Sequence, residues 1–444
     1  MCQERAATGA RLLTSPCLVR AERARPLALA CLLLAACTPA APRETVAVAP
    51  TAGASATPAF AARAEAHLAE GRTVGEWLVV GLAHAPSDQN LAAPQLLVVL
   101  RDASGAEIGR QTVDIAADPL PAGAAWPFEE PFRPSRAPRA VEVRLVGNPG
   151  PAAASSLVRA SVLRSFLDAE GATILLGRLA DSGGGAAIES VRLLGRDESG
   201  RATAVVSAIP AVAFLAPRES APFLARAPRL ANGATWQAFV IARPAEQPAA
   251  LLQVETVSAH EDDQGNPFVS LFVRNDSPQP VWAQVTAVAS LGEAWMAAAA
   301  LELPTPLAPG ARLPLALRLP RTSVERDGAP APADLAWQIF TASRPASASA
   351  VSLPLEVVGY EAVGSTLLLR IRVEGIAAGL VDRPSVIVAL RGSDGELLGA
   401  GLTAGDTSLA DGASLVLTVA IPIARGLDLR QTEFDVLAVG VPGG

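Results

Sequence analysis

The chain has 444 residues, more than one hydrophobic core supports, since chains of this length divide into units of roughly 100–150 residues. Half the residues are hydrophobic, only 4% are aromatic, and all 36 basic residues are arginine, which excludes the lysine chemistry of phosphate-binding loops, Schiff-base enzymes and pyridoxal-phosphate sites. The net charge is −7 overall and −10 from Cys37 onward, where 31 Arg stand against 41 acidic residues; such a surface argues against nucleic acid as a partner.

At the N-terminus, Arg20, Arg23 and Arg25 precede the apolar run Leu27 to Ala36. Ten apolar residues are too few to span a bilayer, which takes about 18 or more, so the run reads as the core of an export signal over residues 1–36. The stretch Leu34-Ala35-Ala36-Cys37 resembles the lipobox of bacterial lipoproteins. The resemblance implies lipid on the Cys37 thiol, cleavage before it, a membrane as partner, and a location in the cell envelope facing outside the cytoplasm. Two or more acyl chains suffice for stable anchoring. The cysteines are Cys2, Cys17, Cys31 and Cys37, so one remains after cleavage. An internal disulfide and a cysteine-based metal site are then both excluded.

Residues 37–62 carry the lipidated end and a tether rich in Ala, Pro, Thr and Ser, which cannot pack a core. A flexible segment of this length reaches about 25–30 Å.

Beyond the tether the chain repeats itself. Leu120-Pro-Ala-Gly123, Leu215-Ala-Pro-Arg218, Leu307-Ala-Pro-Gly310 and Leu409-Ala-Asp-Gly412 recur at intervals of 95, 92 and 102 residues. In each unit the seventh residue after the Leu opens a matching pair: Pro127-Phe128, Pro222-Phe223, Pro314-Leu315 and Val416-Leu417. Upstream lie Arg101-Asp102-Ala-Ser-Gly105, Arg196-Asp197-Glu-Ser-Gly200 and Arg391-Gly392-Ser-Asp-Gly395, with Ser290-Leu-Gly292 in the third unit. Asp, Ser and Gly at these spacings predict hairpin corners. Trp236-Gln-Ala-Phe239 and Trp337-Gln-Ile-Phe340 close the second and third units, with weaker counterparts at Val141 to Leu145 and Phe434 to Leu437.

Between turns the apolar residues alternate with period two, the pattern of a half-buried strand. Leu369, Ile371 and Val373 should face inward and Arg370 and Arg372 outward. Each unit should hold about seven short strands, as a β-sandwich does. The expected fold class is therefore all-β: four tandem sandwiches over residues 63–150, 156–245, 250–346 and 350–444. The order of apolar strand, Arg-Asp-x-x-Gly corner, Leu-x-x-Gly turn and apolar-Pro strand is similar to the FxLYD-type domains of bacterial surface proteins. Val98-Val-Leu100-Arg101-Asp102 keeps that signature's Leu and Asp and lacks its aromatics. The resemblance implies small immunoglobulin-like sandwiches, often tandem and lipid-anchored, without established chemistry.

No nucleophile elbow, His-Glu-x-x-His pair, Walker loop or Gly-x-Gly-x-x-Gly turn occurs in the exported part. The histidines His67, His84 and His260 are scattered and suggest no triad. The run His260-Glu-Asp-Asp-Gln-Gly-Asn266 has oxygen donors, but without the alternating spacing and distant Glu of a calcium loop it reads as a solvated corner. No catalytic residue, metal site or cofactor is expected. Trp126, Trp236 and Trp337 fall at core positions. Phe268, Phe272, Trp282 and Trp295 have no aromatic counterparts in the other units and form the candidate binding set, an exposed platform for a glycan or an envelope protein. The expectation is a membrane-tethered, non-enzymatic array that binds, adapts or spaces; the remaining alternative, an enzyme with residues gathered between domains, has no motif behind it.

Overall fold

The computed structural model describes residues 63–443 apart from 72, 116, 151–156, 168–171, 229–233, 247–251, 320–334 and 378. Leu34, Ala35, Ala36, Cys37 and the tether lie outside the described residues. The described chain is nearly all strand. The first repeat holds β1 (Arg63–Glu70), β2 (Trp77–His84), β3 (Leu91–Arg101), β4 (Glu107–Asp114), β5 (Ala125–Phe132) and β6 (Ala140–Pro149). The second holds β7 (Val158–Leu167), β8 (Thr173–Asp181), β9 (Ala186–Arg196), β10 (Ala202–Pro210), β11 (Phe214–Leu215), β12 (Ser220–Ala227) and β13 (Thr235–Pro244). The third runs from β14 (Leu252–Glu261) through β15 (Pro267–Asn275), β16 (Val281–Leu291), β17 (Ala294–Glu302) and β18 (Arg312–Arg318) to β19 (Ala336–Pro345). The fourth comprises β20 (Val351–Ser352), β21 (Leu355–Val363), β22 (Thr366–Glu374), β23 (Val381–Arg391), β24 (Leu397–Ala404), β25 (Ser414–Pro422) and β26 (Glu433–Pro442).

Every strand pairing is antiparallel, and each repeat builds the same two sheets. The first sheet is β1-β2-β5, β7-β8-β12, β14-β15-β18 or β21-β22-β25; the second is β4-β3-β6, β10-β9-β13, β17-β16-β19 or β24-β23-β26. In the second repeat β10 also pairs with β12, which joins the two sheets. The recurring Leu has a fixed task. Leu120, Leu307 and Leu409 each make a single bridge, to Leu91, Val281 and Val381, and Leu215 pairs with Ala186 in β11. All four are buried. Six full strands and this Leu bridge thus replace the seven strands expected, except where β11 and β20 are added.

The two sheets of a repeat enclose an apolar layer, with alternate residues supplied from each side. In β22, Leu367, Leu369, Ile371 and Val373 are buried in that layer while Arg370 is exposed. In β18, Leu313, Leu315 and Leu317 are buried likewise. Phe128 and Phe223 are buried at the core positions that Leu315 and Leu417 take in the later repeats, and each large ring faces a glycine across the sheet, Gly81 and Gly177. A Cβ on Gly177 would stand 1.9 Å from Phe223 Cζ. The third and fourth repeats pair Leu271 with Leu315 and Ile371 with Leu417 at the same site. One large and one absent side chain fill the volume of two medium ones.

The Arg-Asp-x-x-Gly corners are hairpin turns held by their own side chains. Asp102 Oδ1 accepts from the Ser104 and Ala106 N–H groups at 2.9 and 3.1 Å, and Asp197 Oδ1 accepts from Ser199 and Arg201 at 2.9 and 3.0 Å. Arg101, Arg196 and Arg391 each donate from Nη1 to the carbonyl of the turn glycine, Gly105, Gly200 and Gly395, at 3.0, 2.9 and 3.3 Å. The left-handed φ of these glycines, 80–83°, is open to Gly without steric cost.

Candidate functional site

Half of each sheet's side chains point away from its own sandwich, and in this chain they define the features most relevant to function. The first sheet of each repeat packs its outer face against the outer face of the second sheet of the next. Between repeats 1 and 2, Val80 and Leu82 of β2 meet Leu194 of β9, Ala202 and Val205 of β10 and Phe239 of β13. Between repeats 2 and 3, Phe166, Leu176 and Leu224 meet Val288, Trp295, Ala298 and Phe340. Between repeats 3 and 4, Phe272 meets Ala389 and Leu397, and Ile387, Leu402 and Val439 of the fourth repeat join the third repeat's cluster. These residues are sequestered from water outside any single sandwich, and that burial favours the stacked arrangement.

The Trp-Gln-x-Phe motif spans both environments because neighbours on a strand face opposite ways. Trp236 and Trp337, half-buried, pack on the cores of their own repeats, while Phe239 and Phe340 reach into the junction with the preceding one. Polar contacts accompany the apolar ones. Arg196 pairs with Glu65 at 2.7 Å, the Val205 N–H donates to Glu129 Oε2 at 2.8 Å, and Gln284 Nε2 donates to the Pro210 carbonyl at 3.0 Å. Arg192 donates to the Pro127 carbonyl at 3.2 Å and lies 5.5 Å from the Trp126 ring centre.

The exposed aromatic platform expected in the third repeat is not formed. Phe268, Phe272 and Trp295 are all buried, and only Trp282 is half-buried. The first three do face away from their own sandwich, but Phe272 and Trp295 are covered by a neighbouring repeat and Phe268 packs beside His260. Trp295 donates from Nε1 to Gln338 Oε1 at 3.2 Å, with Arg178 of the second repeat 4.5 Å from its ring centre. Phe272 carries Arg312 at 3.5 Å and Arg391 of the fourth repeat at 5.1 Å. Arg344 and Arg383 lie 5.6 and 5.8 Å from the ring centre of Trp282. Such cation–π contacts are favourable and compete with a sugar for the ring faces they cover.

The oxygen-rich turn after His260 is a hairpin corner, but its key carboxylate is not solvated. Asp262 is fully buried, accepts from the Gln264 and Asn266 N–H groups at 2.9 and 2.8 Å, and is ion-paired with Arg318. Arg318 also reaches Ser365 Oγ at 3.3 Å, and the Arg425 N–H donates to the Glu261 carbonyl at 2.7 Å. The corner therefore ties repeat 3 to repeat 4. Beside it, His260 lies 5.1 Å from the Phe268 ring, and burial lowers its pKa against the opposing pull of the Leu397 backbone and the Glu396 carboxylate of the fourth repeat. His67, at the first junction, is lowered by burial as well.

Among the described residues no group of three or more His, Cys, Asp or Glu could hold a metal ion. An open hollow of about 460 Å³ in the second repeat is lined by Leu157, Asp181, Gly183, Gly185 and Glu246. Asp181 is committed to its own turn, accepting from Gly183 and Gly185 at 3.1 and 3.0 Å, and among the described residues Glu246 does not by itself make the convergent set of polar groups that a ligand site needs.

No family model matches the chain, and no curated protein does. Among solved structures, it is similar to Escherichia coli alpha-2-macroglobulin activated by porcine elastase, at 11% identity and a TM-score of 0.13, over 85% of this chain and 44% of that one. It is also similar to the native conformation of the same E. coli protein, at 10% identity and a TM-score of 0.13, over 87% and 29%. The chain thus spans less than half the length of these structures, and a likeness this weak carries no argument about function.

Proposed function

We propose that the chain is a lipid-anchored extracytoplasmic spacer or adaptor: four immunoglobulin-like sandwiches, resembling FxLYD-type domains, carried on a tether from Cys37. The observation that supports it best is the set of apolar clusters between successive repeats. Each junction removes side chains from water that no single sandwich could bury, and a stack bound in this way resists bending as freely linked beads do not. An anchored array of this kind holds its far end at a set distance from the membrane, and presents long flanks to partners in the envelope. The anchor rests on the residues of the lipobox, Leu34, Ala35, Ala36 and Cys37.

The test is incorporation of a labelled fatty acid into the wild-type chain and the Cys37→Ser variant, with membrane fractionation of both. The proposal expects label and membrane association in the wild type, and an unlabelled, uncleaved form in the variant. Equal behaviour of the two would remove the anchor from the account.

A further inference from the structure

A stack of repeats has two ends, and each is a sheet face whose internal counterparts are covered. At one end lies the second sheet of repeat 1, where β3 presents Leu97 and Val99. Across the sheet from Val99 stands Arg110, and across from Leu97 stands Arg144. The same two register positions hold Val205 and Phe239 in repeat 2, Ala298 and Phe340 in repeat 3, and Ala400 and Leu437 in repeat 4. Arginine thus replaces an apolar side chain at both positions in the one repeat that no described repeat precedes. Arg110 and Arg144 are exposed, and Arg110 pairs with Glu107 at 2.7 Å.

At the other end lies the first sheet of repeat 4, where β22 presents Arg370 and Arg372. Their register positions hold Val80 and Leu82 in repeat 1, Leu176 and Arg178 in repeat 2, and Ser270 and Phe272 in repeat 3. Arg178 is the one arginine among these six internal positions, and it lies over Trp295. Among the described repeats, only the fourth, which no described repeat follows, has arginine at both positions.

At the first junction Val80 and Leu82 share a cluster with Val205 and Phe239. If a second copy stacked its first repeat on the fourth repeat of this one in the same geometry, those places would be taken by Arg370 and Arg372 against Arg110 and Arg144. Four guanidiniums would lose water and meet like charge, a cost that the neighbouring carboxylates recover only with ideal geometry. We infer that these four arginines, on the two outer sheet faces that no described repeat covers, block a second copy of this chain from joining head to tail. The inference concerns the end faces of the stack and holds whether or not Cys37 is lipidated.

The experiment uses the purified full chain in mild detergent and sedimentation velocity. One variant carries Arg110→Val and Arg144→Phe, another Arg370→Val and Arg372→Leu, each checked for wild-type circular dichroism. Wild type and the two variants with one altered end should each sediment as single molecules when alone. Mixed together, the two variants should pair, with a rise in sedimentation coefficient to that of a 1:1 complex. The variant with all four changes should form chains that lengthen with concentration. Should the altered ends disturb folding, Phe239→Arg tests the same logic from inside the stack, and it should loosen the first junction in a spin-label distance measurement. Wild-type chains joining head to tail, a mixture that stays monomeric, self-association of a one-end variant, or an unchanged junction in Phe239→Arg would each overturn the inference.

Discussion

Gly177 stands so close to the Phe223 ring that any side chain there must displace it. Gly177→Ala should therefore destabilise the protein by about 3 kcal/mol, the upper part of the overpacking range. Adding Phe223→Leu should restore most of that loss, because the third repeat packs Leu271 against Leu315 at the same site. Thermal melting of the single and double variants checks it, and a double variant no more stable than the single would defeat the complementarity argument. His260 gives a second residue-level expectation. Burial lowers its pKa in the folded chain, beside Phe268, the Leu397 backbone and the Glu396 carboxylate, so the folded state binds fewer protons than the unfolded one below the ordinary imidazole value of about 6.5. The stability that neutral His260 supports is fully present above that pH and is lost as pH falls toward the folded-state value. His260→Gln should lose less stability than wild type between pH 7.5 and 5, measured by denaturant unfolding at each pH.

At the scale of strands, the turns and core faces were legible in the sequence because their chemistry is local. Asp102, Ser104 and Gly105 make the same corner as Asp197, Ser199 and Gly200 from side chains within five positions. The junctions were not read, although a signal for them exists. Strands covered on both faces lose the period-two alternation and become continuous apolar runs. Leu78 to Ala83 and, apart from Ser270, Phe268 to Val273 have that character, whereas Leu369-Arg370-Ile371-Arg372-Val373 alternates because no described repeat covers its outer face. In the sequence the aromatics of the third repeat look like a platform, because alternation says which residues share a face and nothing about what covers it. The junction account predicts that Phe239→Arg lowers stability by about 2 kcal/mol, since a half-buried ring and its cluster are lost. Arg144→Phe, the converse change at an open end, should leave calorimetric melting of the isolated chain within about 0.5 kcal/mol of wild type. Equal effects of the two would remove the distinction between junction and end.

For the molecule as a whole, the central claim is that the stacked repeats act as one body of set length. The described residues contain no cysteine, so a pair of labelling sites can be introduced without competing thiols beyond the N-terminal segment. Asp88 in the first repeat and Asp406 in the fourth are both exposed. Spin labels on Asp88→Cys and Asp406→Cys, read by pulsed dipolar spectroscopy, measure the distance across the array. The account predicts a single narrow distance distribution that broadens when Phe239→Arg is added. A broad distribution in the otherwise wild-type chain, unchanged by that substitution, would contradict it.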